Sequence, residues 1–471
     1  MNIWKTKTPA QIDEAAEHTQ LKKNLTAVDL AALGIGSVVG TGIFVATGQG
    51  AQLAGPGILL SFIIAAVTCG FCALTYSELA CMFPVAGSTY SYSYVAFGEV
   101  IAWIIGWDLM LEYLVAASAV ASGWSTTFIG LIQSAGVKLP KAFLIPPITT
   151  VDGRVVLSGG IVDVPAIVIT LLITLVLYIG IRESAKINNI IVLIKIAVIL
   201  LFVFLGVRHV SLANLHPMMP FGWKGVMAGA AIIFFAYIGF DAVSTAAEET
   251  KNPKKDVPLG LMLCLGVVIV LYVSVAFVLT GIVPYKLIDV GNALPAALSR
   301  IGIQWGGALV ATGAIIGMIS TLLVTLYGQI RIFMVMARDG LLPAAFAKVH
   351  PKHRTPHICT WITGIATALI AGLFPLPMII DLCNIGTLFA FILVSVGVVL
   401  LRKTRPEVER KFKTPGVPFT PLITVAFCFY LMANLPKVTW IRFGLWLLAG
   451  LAIYFMYGVR HSKLQSPAAG N

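Results

Sequence analysis

Apolar runs of about 20 residues recur from one end of the chain to the other, each bounded by short polar or Pro- and Gly-rich stretches. That length is the thickness of a hydrocarbon core divided by the helical rise, so each run is predicted to cross a bilayer as a helix. About twelve spans are expected. They run over Val28–Ala54, Gly57–Phe83, Val100–Ile132, Val164–Ile181, Ile187–Val207 and Trp223–Glu248, then Pro258–Val283, Trp305–Met336, Ile358–Phe374, Ile379–Leu401, Phe419–Leu435 and Trp440–Val459. Gly55-Pro56-Gly57, Pro375-Leu376-Pro377 and Leu435-Pro436-Lys437 read as tight turns between neighbours. Helices satisfy their own backbone in lipid, so the expected fold is an all-α integral membrane protein.

Two spans break this pattern. Gly34 to Gly48 reads G-I-G-S-V-V-G-T-G-I-F-V-A-T-G, and Gly40-Thr41-Gly42 falls where the middle of the first span should lie. Glycine is less favourable than alanine in a helix by roughly 1 kcal/mol, so this crowding predicts local unwinding. Unwound backbone at membrane depth persists only where it lines a cavity or is buried in protein. Five spans later, Phe234 to Thr245 again places glycine at mid-span, with Gly239 as the hinge and Asp241 beside it to orient the second half. Interrupted spans at the first and sixth positions point to a transporter built from two inverted repeats, since an odd offset reverses the direction of entry. The expected division is a cytoplasmic segment over 1–27, one repeat over 28–207, the other over 223–401, two further spans over 419–459, and a cytoplasmic tail over 460–471.

The chemistry of such breaks is directional. The start of a half-helix presents N–H groups and a positive dipole end, which suits a carboxylate; Gly40, Thr41 and Gly42 are the candidates. The end of a half-helix presents carbonyls, which suit an ammonium; those of Val38, Phe235, Ala236 and Ile238 are the candidates. Together they describe a site for a zwitterion, hence an amino acid.

Charge inside the spans sharpens the reading. Lys195 lies roughly 12 Å from the nearer end of the fifth span, too deep to snorkel. It must be paired, face a cavity or give up its proton, and a proton-linked role is expected. Its candidate partners are the carbonyls of Gly36 and Val39 and the hydroxyls of Ser320 or Thr321. Glu112, one turn from Asp108 in the third span, is a second proton carrier, a pole for a cationic side chain, or a structural carboxylic acid. Arg331 lies near a span end and can snorkel.

Composition agrees with a membrane protein: 58% of residues are hydrophobic and 11% charged. The formal charge of +12 is explained by orientation. With both termini in the cytoplasm, roughly 20 Lys and Arg face inward against about 8 outward, which leaves no case for nucleic acid. The polar opening stretch to Thr26 has no signal-peptide h-region, so the first span is expected to target the chain to the plasma membrane. The cysteines, including Cys69 and Cys72, lie in or beside apolar runs and imply no disulfide. His350, His353 and His357 lack companion ligands, so no metal is expected. No H-E-x-x-H, Walker A or nucleophile-elbow motif appears, which argues against an enzyme or an ATP-driven pump, with no cofactor besides the proton as coupling ion. The segment Pro84 to Glu99, with Tyr90, Tyr92 and Tyr94, is expected at the interface as an ordinary turn or a re-entrant stretch.

The glycine-rich first-span motif resembles that of the amino acid–polyamine–organocation superfamily. Three more stretches resemble a bacterial form of its cationic amino acid transporter family: Gly239–Gly260 (G-F-D-A-V-S-T-A-A-E-E-T-K-N-P-K-K-D-V-P-L-G), Gly180–Asn189 (G-I-R-E-S-A-K-I-N-N) and Met336–Pro343 (M-A-R-D-G-L-L-P). The resemblance implies the leucine-transporter fold, five plus five spans and two C-terminal helices, and secondary transport by alternating access. It implies that Lys195 matches the fifth-span lysine of proton-coupled relatives. It also places Gly317, Met318 and Thr321 of the eighth span near the site, and the expected side-chain pocket is Met318, Gly317, Tyr237 and Glu112. Met318 is bulky and apolar, so small neutral L-amino acids are favoured over cationic ones. An amino acid exchanger, a cationic amino acid permease, a nutrient sensor and a channel are the alternatives. The lipid-facing surface leaves room for a small membrane partner of unknown identity.

Overall fold

The computed structural model describes residues 2–8, 24–83, 88–137, 139–151, 154–180, 185–353 and 355–465. Parts of the expected N-terminal segment, the C-terminal tail, the Gly180–Asn189 motif and the Pro84–Glu99 stretch lie outside the described residues. Among those described, eight helices are long and apolar enough to cross a membrane and four shorter apolar helices accompany them. They follow the hydropathy reading closely, with twelve passages in chain order: the first, second and third spans are Ala27–Ala54 (interrupted), Ile58–Met82 and Glu99–Ser134. The fourth to eighth are Val164–Ile179, Ala185–Val207, Gly222–Thr245 (interrupted), Pro253–Ile282 and Gln304–Arg338. The ninth to twelfth are His357–Leu373, Leu376–Thr404, Phe419–Ala433 and Lys437–His461, the last with a π-wound stretch at Tyr454–Gly458.

Two details differ from the expectation. A hairpin joins β1 (Ile148–Val151) to β2 (Arg154–Leu157), antiparallel and with Thr149 opposite Val156. Its β-branched residues flank Asp152-Gly153, a pair that favours hairpin turns. The tyrosine-rich stretch is a helix, Ser88–Ala96, and it is buried rather than laid on the interface. Two of its hydroxyls have partners inside the protein: Ser88 Oγ lies 3.0 Å from Ser244 Oγ, and the Tyr90 hydroxyl donates to Asp339 at 2.6 Å.

The core lies between the first, third, sixth, eighth and tenth spans. The third packs along the eighth and tenth, and the seventh packs along the first and second. At the end of the bundle that holds both termini, the chain's start serves as a cap. Glu99 N donates to Lys5 O and Val100 N to Ile3 O, both at 3.1 Å, satisfying N–H groups that a helix start leaves over. Lys5 Nζ donates to Leu464 O at 2.6 Å, and Lys7 Nζ pairs with Asp339 at 2.7 Å. At the same end Glu78 is fully buried. It accepts a two-point contact from Arg402 (2.9 and 2.7 Å) and the Thr414 N–H (2.7 Å), with Arg410 Nε at 3.4 Å.

This cluster joins the second span to the tenth and to the connection that follows it. Removing one member of such a buried set leaves charge without compensation, at a cost of about 3 kcal/mol. Glu78→Ala is therefore expected to lower the thermal midpoint of the purified protein by several degrees, and Glu78→Gln by less. A midpoint unchanged in Glu78→Ala would show that the cluster contributes nothing to stability.

Candidate functional site

The first span stops being an α-helix where its glycines crowd. The ladder closes with Val39 N donating to Ile35 O at 2.8 Å and resumes with Phe44 N donating to Gly40 O at 3.3 Å. Val39 between them is extended, at φ −76 and ψ 96. Beyond the gap, Gly42–Ala46 is wound as a π-helix before α-helix returns at Thr47. Thr47 Oγ1 sits against the carbonyls of Ile43 (2.8 Å) and Gly42 (3.2 Å), a back-bond that widens the turn.

The sixth span breaks in a matching way. It tightens to a 3-10 turn over Phe234–Tyr237, extends at Ile238 (ψ 139) and turns at Gly239, whose φ of 107 suits glycine and strains other residues. Asp241 stands at the N-cap of Ala242–Thr245, but its side chain makes no capping bond. The two breaks meet backbone to backbone. A Cβ on Gly42 would stand 2.3 Å from Ala236 Cα, and one on Gly239 would stand 2.7 Å from Ser37 Oγ.

The meeting point thus gathers two helix ends and two helix starts. The first break carries the N–H groups of Gly40, Thr41 and Gly42 and the carbonyl of Val38, and the sixth carries the carbonyls of Phe235, Ala236 and Ile238. Two carbonyls already accept a bond, Val38 O from Tyr272 Oη at 3.1 Å and Phe235 O from Ile238 N at 3.3 Å. A carbonyl has two lone pairs, so neither is thereby closed to a ligand. Such an arrangement complements a carboxylate and an ammonium held close together.

Lys195 stands directly behind this break and is fully buried. Its Nζ donates to Gly36 O at 2.5 Å and to Thr321 Oγ1 at 2.8 Å. Thr321 Oγ1 in turn lies 3.2 Å from Gly36 O and 3.3 Å from Val39 O. Gly36, Val39, Thr321 and Lys195 therefore form one cluster. Ser320, the other candidate on that helix, is buried with its Oγ lacking a hydrogen-bond partner among the described residues. Gly317 makes room for the lysine, since a Cβ there would stand 3.0 Å from Lys195 Cγ.

The remaining candidates divide. Met318 is fully buried, with its sulfur 3.3 Å from Thr41 Oγ1, so it stands at the break. Tyr237 turns its hydroxyl to the second span, donating to Phe62 O at 3.1 Å. Glu112 lies against the tenth span, where a Cβ on Gly386 would be 3.9 Å from its own Cβ and 2.8 Å from Asp108 Oδ1. Neither oxygen of Asp108 has a hydrogen-bond partner among the described residues. Those two acids belong to the seam between the third and tenth spans.

The profile of the family described as "Amino acid permease" matches residues 25–456. The chain belongs to that amino acid permease family. It is 48% identical over 445 residues to the branched-chain amino acid permease BcaP of Bacillus subtilis (strain 168), covering 94% of this chain and 95% of that protein. It is 45% identical over 464 residues to the methylthioribose transporter of the same organism, covering 98% and 99%. It is 36% identical over 398 residues to the vacuolar cationic amino acid transporter 4 of Arabidopsis thaliana, covering 82% and 64%.

Several residues at the breaks carry no signal in the sequence. Gly123 of the third span receives Thr41 (a Cβ would stand 2.3 Å from its Cγ2), and Tyr272 holds the end of the first half-helix. Asn384 of the tenth span holds the sixth, donating to Ala231 O at 2.7 Å. Small or common residues reveal such roles only once helices are rotated against each other.

The contact at Gly42 generates a direct expectation. Gly42→Ala must push the two breaks apart, so uptake should fall at least tenfold while the protein still elutes as a monodisperse species. Gly70→Ala is the control, because a Cβ there meets nothing within 4 Å. Full uptake by Gly42→Ala would show that the breaks need not touch.

Proposed function

We propose that this permease is a proton-coupled symporter of neutral L-amino acids, working by alternating access in the plasma membrane with both termini in the cytoplasm. The observation that carries the reading is the hold of Lys195 on the first-span break through Gly36 O and Thr321 Oγ1. As an ammonium, Lys195 donates to both groups. As an amine it has one hydrogen fewer, and the carbonyl end of the first half-helix is held less firmly. Substrate binding at Thr41 and Gly42 acts on the other side of the same few residues. Proton and amino acid thus bias one backbone segment, and each alters the other's affinity, as linkage requires.

The orientation is supported by the basic connections and by the meeting of the two ends, where Asn2 N donates to Gln465 Oε1 at 3.2 Å. The preference for a neutral side chain is supported by Met318 at the break, a bulky thioether with no charge to offer an arginine or lysine substrate. It is supported too by the relative named for branched-chain amino acids. A second reading, uptake of a neutral thioether sugar, draws on the relative named for methylthioribose. Methylthioribose has neither carboxylate nor ammonium, so it would leave the two helix ends unused.

Uptake of labelled alanine and leucine into proteoliposomes, with and without an inward proton gradient, tests the reading. Accumulation is expected with the gradient and should be inhibited by excess leucine but not by methylthioribose. Gradient-independent uptake that needs internal amino acid would mean exchange, and inhibition by methylthioribose alone would overturn the zwitterion site. Lys195→Ala should abolish the gradient dependence; full retention would remove the lysine from the coupling mechanism. Met318→Ser should widen the side-chain pocket, so that arginine and lysine begin to compete with alanine; unchanged competition would count against that placement.

A further inference from the structure

At the end of the bundle that holds both termini, a hollow of about 360 Å³ is lined by Lys251, Asn252, Pro253, Lys254, Lys255 and Lys411. Four lysines thus converge on one space from two distant segments of the chain, and no acidic side chain lines it. Lys254 is paired with the exposed Glu409 at 2.7 Å. Lys251, Lys255 and Lys411 are exposed and make no ion pair among the described residues. The walls are held by bonds that do not involve these ammonium groups. Lys251 N donates to Leu25 O at 2.9 Å, just before the first span, and Cys81 Sγ at the end of the second span donates to Lys254 O at 2.9 Å. Lys411 follows Arg410, one of the two arginines gathered on Glu78.

Membrane orientation asks for basic residues at one end of a bundle, but not for their convergence on one hollow without an acid to balance them. Ammonium groups brought together repel, and an anion seated among them relieves the repulsion. The position of the hollow selects the kind of anion. Lys255, Leu259, Leu263, Val267 and Val270 are all exposed and follow one another at helical spacing along the seventh span. The positive rim therefore runs straight into surface that faces lipid. A ligand with a phosphate and acyl chains satisfies both parts, whereas a choline head would bring a cation of its own among the lysines. We propose that this hollow is a site for an anionic phospholipid, whose phosphate lies among Lys251, Lys255 and Lys411 while its chains follow the seventh span. The bond from Lys251 to Leu25 gives the site a consequence. A headgroup shared by Lys251 and Lys411 ties the entry of the first, interrupted span to the connection that follows the tenth.

The test places the purified full-length permease in phosphatidylcholine nanodiscs with and without phosphatidylglycerol. Phosphatidylglycerol is expected to raise the thermal midpoint by roughly 2 °C or more, and the double variant Lys255→Gln/Lys411→Gln to lose most of that rise. Lys348→Gln/Lys352→Gln removes the same charge from another exposed stretch at that end and should keep the rise. No rise in the unaltered protein, a rise that survives Lys255→Gln/Lys411→Gln, or an equal loss in both double variants would overturn the proposal. Inorganic phosphate added to the phosphatidylcholine discs should leave the midpoint unchanged; a rise equal to that from phosphatidylglycerol would mean a site for a soluble anion instead. Should Lys255→Gln/Lys411→Gln fail to fold, native mass spectrometry gives an independent measurement on the unaltered protein. From an equal mixture of the two lipids it should retain phosphatidylglycerol in preference to phosphatidylcholine, and equal retention would exclude the site.

Discussion

Inside an apolar bundle, a backbone N–H or C=O that leaves its helical ladder must find another partner, because no solvent is at hand to supply one. Two interruptions in mid-span therefore organise much of what surrounds them. Tyr272 reaches from the seventh span to Val38 O, Asn384 from the tenth to Ala231 O, and Lys195 from the fifth to Gly36 O. Each of these side chains is fully buried, and each bonds a carbonyl at or just before a helix end. Polar residues deep in the spans are explained by the broken backbone more than by one another.

The same constraint shapes the glycines. A helix break is useful as a site only if other backbone can approach it, and side chains stand in the way. Gly42 admits Ala236, Gly123 admits Thr41, Gly317 admits the stem of Lys195, and Gly36 admits Val192, whose Cγ2 would stand 2.9 Å from an added Cβ. Glycine lowers helix propensity and permits close approach at once. One residue type thus opens the first span and lets the fifth, sixth and eighth close around the opening.

How much of this could be read from the sequence follows from what hydropathy measures. Span length and break position depend on local composition, so the twelve passages and both interruptions were legible, as was the depth of Lys195. The rotation of each helix is not local. The sequence placed Ser320 and Thr321 side by side as partners for Lys195, yet only Thr321 points at it. Tyr237 and Glu112 read as members of the side-chain pocket with Met318; the Tyr237 hydroxyl is spent on the second span and Glu112 packs along the tenth, contacts that hydropathy does not show. The tyrosine-rich helix was misplaced for a related reason. Its hydroxyls resemble an interfacial pattern, but buried Ser244 and half-buried Asp339 supply partners that lie more than 150 residues away in the chain.

The charged residues separate into two kinds of support, and the difference bears on motion. At the terminal end, Glu78 is held by two arginines and a backbone N–H, and Asp339 by a lysine and a tyrosine. Breaking such a set leaves uncompensated charge, so these contacts favour one fixed arrangement. Lys195 is held differently. Two of the groups that bind it, Gly36 O and Thr321 Oγ1, flank the piece of backbone that the break has already loosened. A modest shift of the half-helix Ala27–Val38 would lengthen those bonds without disturbing the ion pairs at the bundle's end. The ion pairs at the bundle's end and Lys195 thus sit on different supports, and it is Lys195 that adjoins the interrupted backbone of the first span.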